Sequence, residues 1–325
     1  MPKLKIGIIG AGYIGGLHAS ILARYERVEL VCVHDVRDEA STRLASTFNA
    51  RSAKSAAEVI ESTDAVYITT PNTKHKELAI AAALAGKHVF CEKPMATNID
   101  DAKAVRNAAV KSGAVLQVGH NRRFAPVYTR LRQMLETTHA PHSAHVKMNR
   151  GELQNPAWVS DPNVTGGFLY ETTIHMFDMM RFLFGEVTML QAIGSTHEYP
   201  EVDDFSVLLQ FASGVHATFA SSADASWHFP FERVEVFGHH TTIVTSEMES
   251  IVYTEGLEGK PVEHSMDQLA KEEKWGYAQE DKSFIDSIIE GKPPAVTALD
   301  GLKSVELVEA CYASVRTGEA VRFVG

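Results

Sequence analysis

Two groups of residues in this chain have the types and spacing to do chemistry, and a third has the spacing to hold a cofactor for them. Lys93 stands in Cys91-Glu92-Lys93-Pro94, where an apolar strand-like run stops at a proline. A lysine at a strand end that is partly withdrawn from water can exchange a proton with a substrate hydroxyl. A solvated surface lysine is the equally weighted alternative. Pro94 also raises the expectation of a cis bond that aims the Lys93 side chain. The second group lies in Gly166-Gly167-Phe168-Leu169-Tyr170-Glu171-Thr172-Thr173-Ile174-His175-Met176-Phe177-Asp178. On a helix, Glu171 and His175 are one turn apart on one face, and Asp178 is placed to orient the His175 ring. An imidazole titrates near operating pH and suits proton transfer, although spacing alone leaves a merely structural histidine the commoner reading. A lysine and a histidine converging on one hydroxyl would serve a hydride transfer, because the cofactor carries the rest of that reaction.

Gly10-Ala11-Gly12-Tyr13-Ile14-Gly15 is the third group. It follows the apolar run Leu4–Ile9 and opens a helical segment, the context in which this glycine spacing has meaning. Gly10 permits the tight turn, Gly12 lets the backbone approach a pyrophosphate, and Gly15 lets the helix pack closely on the strand. The helix amides then face the phosphates. Asp35 ends the β-branched run Val28–His34, where a carboxylate accepts from ribose hydroxyls and repels a 2′-phosphate. Arg37 could accommodate that phosphate, but the carboxylate favours NAD over NADP. Tyr13, Ile14, Arg37, Thr70, Asn72, His75 and Glu92 complete the set expected along the cofactor.

The elements that must position these groups alternate through the first part of the chain. Strand-like runs at 4–9, 28–34, 64–70, 88–91 and 114–118 are separated by helical stretches, which implies a parallel, doubly wound sheet. After Gly119-His120-Asn121 the pattern changes. A helix over 123–136, a strand over 143–150 and a helix over 170–184 lead into strands at 188–195, 205–211, 215–221, 233–237 and 241–245. Ser213-Gly214 is read as a hairpin turn. Consecutive strands without helices between them imply an antiparallel sheet. Helices over 277–289 and 298–316 and a strand over 320–324 close the chain. The expected architecture is α/β: a Rossmann domain at 1–121 and an α+β domain with an open, mostly antiparallel sheet at 122–325.

Composition limits the partners. The 325 residues carry a formal charge of −10. Nucleic acid and anionic membranes are disfavoured, because there is no basic excess to bind phosphate. No window has the length of a membrane span. Cys32, Cys91 and Cys311 lack zinc-site or disulfide spacing, so no metal is expected and a reducing, cytoplasmic setting is.

With these residues in hand, the chain resembles the Gfo/Idh/MocA oxidoreductases over nearly its whole length. The match rests on the glycine motif, Glu92-Lys93-Pro94, Gly119-His120-Asn121-Arg122-Arg123-Phe124, the Gly166-Gly167…Glu171…His175…Asp178 helix and the tail from Tyr312-Ala313-Ser314 to Thr317-Gly318. The resemblance implies a pyridine-dinucleotide oxidoreductase acting on sugars or polyols, inositol-like ones first. It implies Lys93 and His175 as the catalytic proton-transfer pair, the Glu171 carboxylate as a substrate-hydroxyl ligand, and a homodimer or homotetramer built through the open sheet. Asn121, Arg122 and Trp158 are expected on the sugar side, with Asn155, Asp161, Trp227 and His228 as further polar or stacking residues. The family usually has Asp at 171 and Gly at 173, where this chain has Glu171 and Thr173. A longer carboxylate and an added β-branch reshape the pocket. Glycoside cleavage or keto-sugar reduction on the same scaffold, and a non-catalytic NAD-binding regulator, are the competing readings.

Overall fold

The computed structural model describes residues 3–137, 140–152 and 156–323. The chain divides into two compact units, one formed by Met1–His120 with Tyr277–Val305, the other by Asn121–Gly276 with Glu306–Gly325.

The first unit is built on six parallel strands: β1 (Leu4–Ile9), β2 (Val28–His34), β3 (Arg51–Ser52), β4 (Ala65–Ile68), β5 (His88–Glu92) and β6 (Leu116–Gly119). Their order is β3-β2-β1-β4-β5-β6. The winding direction reverses between β1 and β4, the point where doubly wound sheets bind ligands at the strands' carboxyl ends. Strands buried on both faces read as continuous apolar runs; β4 does so throughout, and β1 from Ile6 onward, after the exposed Lys5. The strand β3 and the helix Ala56–Ser62 have no such signature. The strand is two exposed residues long, and the helix is defined chiefly by its Ser55 cap, which accepts from the Glu58 amide.

The second unit carries a nine-stranded sheet. Its strands are β7 (Ser143–Asn149), β8 (Val187–Ser195), β9 (Asp204–Phe211), β10 (His216–Ser222), β11 (Glu232–Gly238), β12 (Thr241–Ser246), β13 (Ser250–Thr254), β14 (Val262–Ser265) and β15 (Val321–Arg322). The order is β14-β13-β12-β11-β7-β10-β9-β8-β15. Only β7 and β10 pair in parallel; the remaining pairs are antiparallel. Strict alternation of buried and exposed residues along β9 leaves one face open. The β9–β10 turn at Ser213-Gly214 uses Gly214 at φ +91°. The sequence reading had not placed β13 and β14, whose residues are mostly half-buried or exposed. Of its last strand, 320–324, residue 324 lies outside the described residues.

One boundary differs from the sequence reading, which gave all of 122–325 to the second domain. The chain returns to the first unit for the helix Tyr277–Glu290. Phe284 and Ile285 of that helix join the first unit's core, where the Phe284 ring stands edge-on to Tyr67 and Phe90 at 5.5 and 5.7 Å. The Val118 amide also donates to the Val296 carbonyl at 3.1 Å. The division then falls inside the helix Ala298–Thr317. Periodicity shows that a helix has an apolar stripe, not which core the stripe completes. Among the described residues no helix is long and apolar enough to cross a membrane.

Truncating Phe284 to Ala should destabilise the first unit by about 3–5 kcal/mol, the range for large aromatic deletions in a core. Denaturant unfolding measures this, and a loss below about 1 kcal/mol would show the returning helix to be peripheral.

Candidate active site

The glycine turn sits at the carboxyl end of β1. Each glycine is there for a separate reason. Gly10 has φ +106°, and a Cβ on it would lie 2.5 Å from the Thr69 carbonyl oxygen. A Cβ on Gly15 would lie 2.0 Å from the Gly10 carbonyl oxygen, because the helix Tyr13–Leu22 packs directly on the turn. A Cβ on Gly12 would meet nothing within 4 Å. No neighbour in the protein forbids a side chain there, so the open space above Gly12 is free for a ligand. Gly12 is also the N-cap and offers no side chain to the first-turn amides. An open groove of about 590 Å³ beside it is lined by Gly12, Tyr13, Arg37, Arg43, Leu44 and Thr47 among others.

Asp35 is buried at the end of β2. Its Oδ2 accepts from the Ala11 amide at 2.7 Å, and its Oδ1 accepts from the Arg37 amide and Nε at 2.9 and 3.2 Å. Burial works to raise its pKa. The amides of Arg37 and Ala11 and the Arg37 guanidinium outweigh burial and hold the carboxyl below its usual range. The carboxylate thus stays an acceptor, and the Arg37 charge is drawn to it. The Thr70 hydroxyl oxygen is buried without a protein partner. The open cradle at Gly12, an ionised Asp35 and an orphaned Thr70 hydroxyl fit a dinucleotide.

Three other expected cofactor ligands are turned inward. His75 is buried, with Nδ1 2.7 Å from the Pro94 carbonyl and Nε2 2.7 Å from the Thr70 carbonyl. Burial lowers its pKa against the pull of those carbonyls. Asn72 is also buried. Glu92 directs Oε1 to His18 Nε2 at 3.2 Å and accepts from the Lys93 amide on Oε2 at 3.1 Å. Lys93 itself is half-buried at the end of β5, and the Lys93–Pro94 bond is cis.

His18 was not anticipated as a site residue. It is fully buried in the helix that opens at the glycine turn, with Nδ1 2.8 and 3.0 Å from the two Asp281 oxygens. Burial alone would lower its pKa. Asp281 and Glu92 reverse this and bring it up to about 10. Glu92 is held below its ordinary range by His18 against burial, whereas burial keeps Asp281 above its own.

In the second unit, Glu171 and His175 lie in successive, unlike stretches. Leu169–Thr173 forms a wide π-helical turn, and regular α-helix runs only from Ile174 to Phe184. The expected helix start at Tyr170 is corrected accordingly. The Phe168 amide donates to Glu201 Oε1 at 2.5 Å and the Leu169 amide to the Tyr312 hydroxyl at 3.1 Å. A Cβ on Gly167, at φ +119°, would lie 2.6 Å from Glu201 Oε2 and 2.8 Å from the Tyr312 hydroxyl. The glycine therefore makes room for the two groups that cap the turn. Glu171 is half-buried and His175 is 9% exposed. Both Asp178 oxygens receive the Arg123 guanidinium, at 2.6 and 2.7 Å. A planar guanidinium satisfies a buried carboxylate at two oxygens at once.

Asn121 and Arg122, expected on the sugar side, are buried, and each has a protein partner. Asn121 Nδ2 donates to the Trp275 carbonyl at 2.8 Å. Arg122 is 4% exposed and pairs with the fully buried Glu232 at 3.0 Å, which also accepts from the Tyr128 hydroxyl at 2.6 Å. A buried guanidinium needs such a partner. Thr173 is buried, its hydroxyl 2.9 Å from that of Ser221 on β10. The expected β-branch beside the pocket is thus directed to the sheet. Trp158 is 38% exposed and Trp227 53% exposed. Asp161 caps a short helical turn through the Asn163 amide. The His228 amide donates to the Ser226 hydroxyl. Asn155 lies outside the described residues. Arg150, also missed, donates to the Thr172 hydroxyl at 2.5 Å, and burial pushes it down to about 10 with Glu171 opposing. No group of three or more metal-ligating side chains occurs among the described residues.

Comparison with known proteins agrees with this geometry. Residues 4–120 match the family model described as an oxidoreductase family NAD-binding Rossmann fold, and residues 133–323 match that of the oxidoreductase family C-terminal alpha/beta domain. Among relatives, a myo-inositol 2-dehydrogenase of Thermotoga maritima is 31% identical, covering 98% of each chain. An inositol 2-dehydrogenase of Rhizobium meliloti is 31% identical over 96% of this chain and 97% of its own. A levoglucosan dehydrogenase solved with NADH and levoglucosan shares the fold at a TM-score of 0.89 and 22% identity, over 98% of this chain and 99% of its own.

Two outcomes follow from the site. Gly12→Ala should leave the melting temperature unchanged and weaken NAD binding at least about tenfold, whereas Gly15→Ala should cost stability first. Isothermal titration and thermal melts separate the two, and the reverse ranking would remove the cradle assignment. The His18 cluster gives a pH dependence. A folded pKa of about 10 against an ordinary 6.5 makes its contribution complete below about pH 6.5 and lost as pH rises through about 10. Unfolding free energy should fall across that window in the native protein and fall less in His18→Gln; parallel curves would contradict it.

Proposed function

The chain belongs to the Gfo/Idh/MocA oxidoreductase family, and on that premise we propose that it oxidises a ring hydroxyl of a cyclic polyol or sugar, inositol-like, with NAD. NAD, when bound, supplies the hydride acceptor. Everything else falls to the chain's own residues. Gly12 and the first-turn amides hold the pyrophosphate, and Asp35 accepts from the ribose hydroxyls. Lys93 hydrogen-bonds the reacting oxygen and His175 is its proton-transfer partner. Glu171 accepts from a neighbouring substrate hydroxyl.

The observation that supports this reading is the position of Lys93 at the same carboxyl-end edge of the parallel sheet as the glycine turn. It leaves the carboxyl end of β5, two strands from the glycine turn in the order β1-β4-β5, with its own amide fixed by Glu92. Relatives named as inositol dehydrogenases over nearly the full length support the polyol class. Glu171 extends a methylene further than the usual Asp, which favours a relative of inositol over inositol itself. Assembly as a homodimer or homotetramer through the open face of the nine-stranded sheet, and residence in the reducing cytoplasm with all three cysteines free and buried, belong to the same reading.

A panel of inositols, aldoses and anhydro-sugars incubated with NAD tests it by the absorbance of accumulating NADH. At least one cyclic polyol or sugar should turn over, and Lys93→Ala and His175→Ala should each lower kcat by about 10²–10⁴ while binding NAD normally. Turnover without net NADH would indicate a closed redox cycle instead, and full activity in Lys93→Ala would remove the lysine from the mechanism.

A further inference from the structure

We infer that His18 and Asp281 are positioning residues for Lys93, acting through Glu92, and that Glu92 is part of this frame rather than a ligand of the cofactor. The inference rests on Lys93 being the proton-transfer group.

The geometry is a chain of contacts inside the first unit. Asp281 bonds His18 Nδ1 at 2.8 Å, His18 Nε2 bonds Glu92 Oε1 at 3.2 Å, and Glu92 Oε2 accepts from the Lys93 amide at 3.1 Å. Both Glu92 oxygens thereby have a partner on the protein side. The backbone beneath the carboxylate is close as well: a Cβ on Gly119 would lie 3.0 Å from Glu92 Cδ. One residue further on, His75 Nδ1 lies 2.7 Å from the Pro94 carbonyl and Nε2 2.7 Å from the Thr70 carbonyl, and the ring, kept neutral by burial, donates to one of the two. Lys93 is therefore held at its own amide by Glu92, with His75 packed against the carbonyl of the following residue.

Stability alone is a poor account of this arrangement. An imidazole between two carboxylates in a dry site carries a desolvation cost that well-packed apolar residues avoid, and such replacements are often neutral or stabilising. The surroundings are already apolar and aromatic: the Phe90, Tyr67 and Tyr277 rings stand 4.9, 5.3 and 6.0 Å from that of His18. The Asp281 and Glu280 carboxylates both act on the buried Tyr67 hydroxyl and, with burial, hold it in its protonated form. The charged groups give what an apolar plug does not: a directional hold on the Glu92 carboxylate, and through it on one backbone amide. The reach of Lys93 is set from that amide, and a misplacement of about 1 Å can cost about 10²-fold in rate.

The test uses the full chain with His18→Gln and Asp281→Asn. Competitive labelling of lysines with acetic anhydride, read by mass spectrometry with Lys103 as internal reference, reports the surroundings of Lys93 and needs no substrate. Both variants should change the Lys93 labelling rate relative to Lys103, while NAD affinity, read by fluorescence titration, stays within about threefold. On a substrate that the native protein turns over, kcat should fall by about 10- to 100-fold with KM little moved. Unchanged Lys93 labelling in a folded variant would overturn the inference. So would a loss of NAD affinity matching the loss of kcat, which would return Glu92 to the cofactor. If neither variant folds, the cluster is a folding element and the inference fails. A native protein inactive on every polyol would count against the substrate reading alone, because the labelling comparison would still stand.

Discussion

A fully buried imidazole with a carboxylate at each ring nitrogen must be held from three directions, since none of its partners can be replaced by water. Here the three are the helix that opens at the glycine turn, the end of β5, and the helix that returns at Tyr277. Their convergence on His18 ties the dinucleotide turn, the lysine and the returning helix into one frame. The apolar core supplies most of the free energy that holds them, with Phe284, Tyr67 and Phe90 packed as a cluster of rings. The charged contacts fix direction within it. A core of rings tolerates small rotations, but a carboxylate shared between an imidazole and a backbone amide does not.

The second unit uses the same logic with guanidinium groups. Arg122 with Glu232 and Tyr128, and Arg123 with Asp178, are buried sets in which each charge has its counterpart. Arg123 and Arg122 are neighbours in sequence and pull on different elements, one on the helix that carries His175, the other on β11. The amino end of that helical segment is held independently by Glu201 and Tyr312. Glu171 and His175 therefore sit in a segment fixed at both ends, and the wide turn between those anchors is where its spacing departs from an ordinary helix.

This pattern of anchoring explains which parts were legible in the sequence. The glycine turn was, because a positive φ at Gly10 and close approaches at Gly10 and Gly15 demand glycine wherever the chain folds this way, and the short spacing of the motif records them even though Gly10 is approached by the distant Thr69. The parallel strands were, because burial on both faces writes an unbroken apolar run. His18 was visible only as a histidine in an apolar helix, and its partner Asp281 lies 263 residues away, where no periodicity links them. Asn121 and Arg122 have contacts that were equally hidden. They belong to a motif, and polar residues in a motif invite a ligand, yet their partners Trp275 and Glu232 come from distant chain. The strands β3 and β14 were missed because edge strands bury too little to impose alternation, and β13, second from the edge, because it buries only Ile251.

Glu92-Lys93-Pro94 shows why a motif can be recognised before it is understood. Three adjacent residues perform three separate tasks on different sides of one strand end. The Glu92 carboxylate turns inward to His18, the Lys93 side chain remains partly exposed, and the Pro94 carbonyl lies against His75. In a strand that simply continued, Glu92 and Pro94 would share one face, opposite Lys93. The turn that ends β5 separates all three, and the contact of the Lys93 amide with Glu92 keeps it. A triplet of this kind looks like a cluster of polar ligands in sequence, whereas in the fold two of its members exist to place the third.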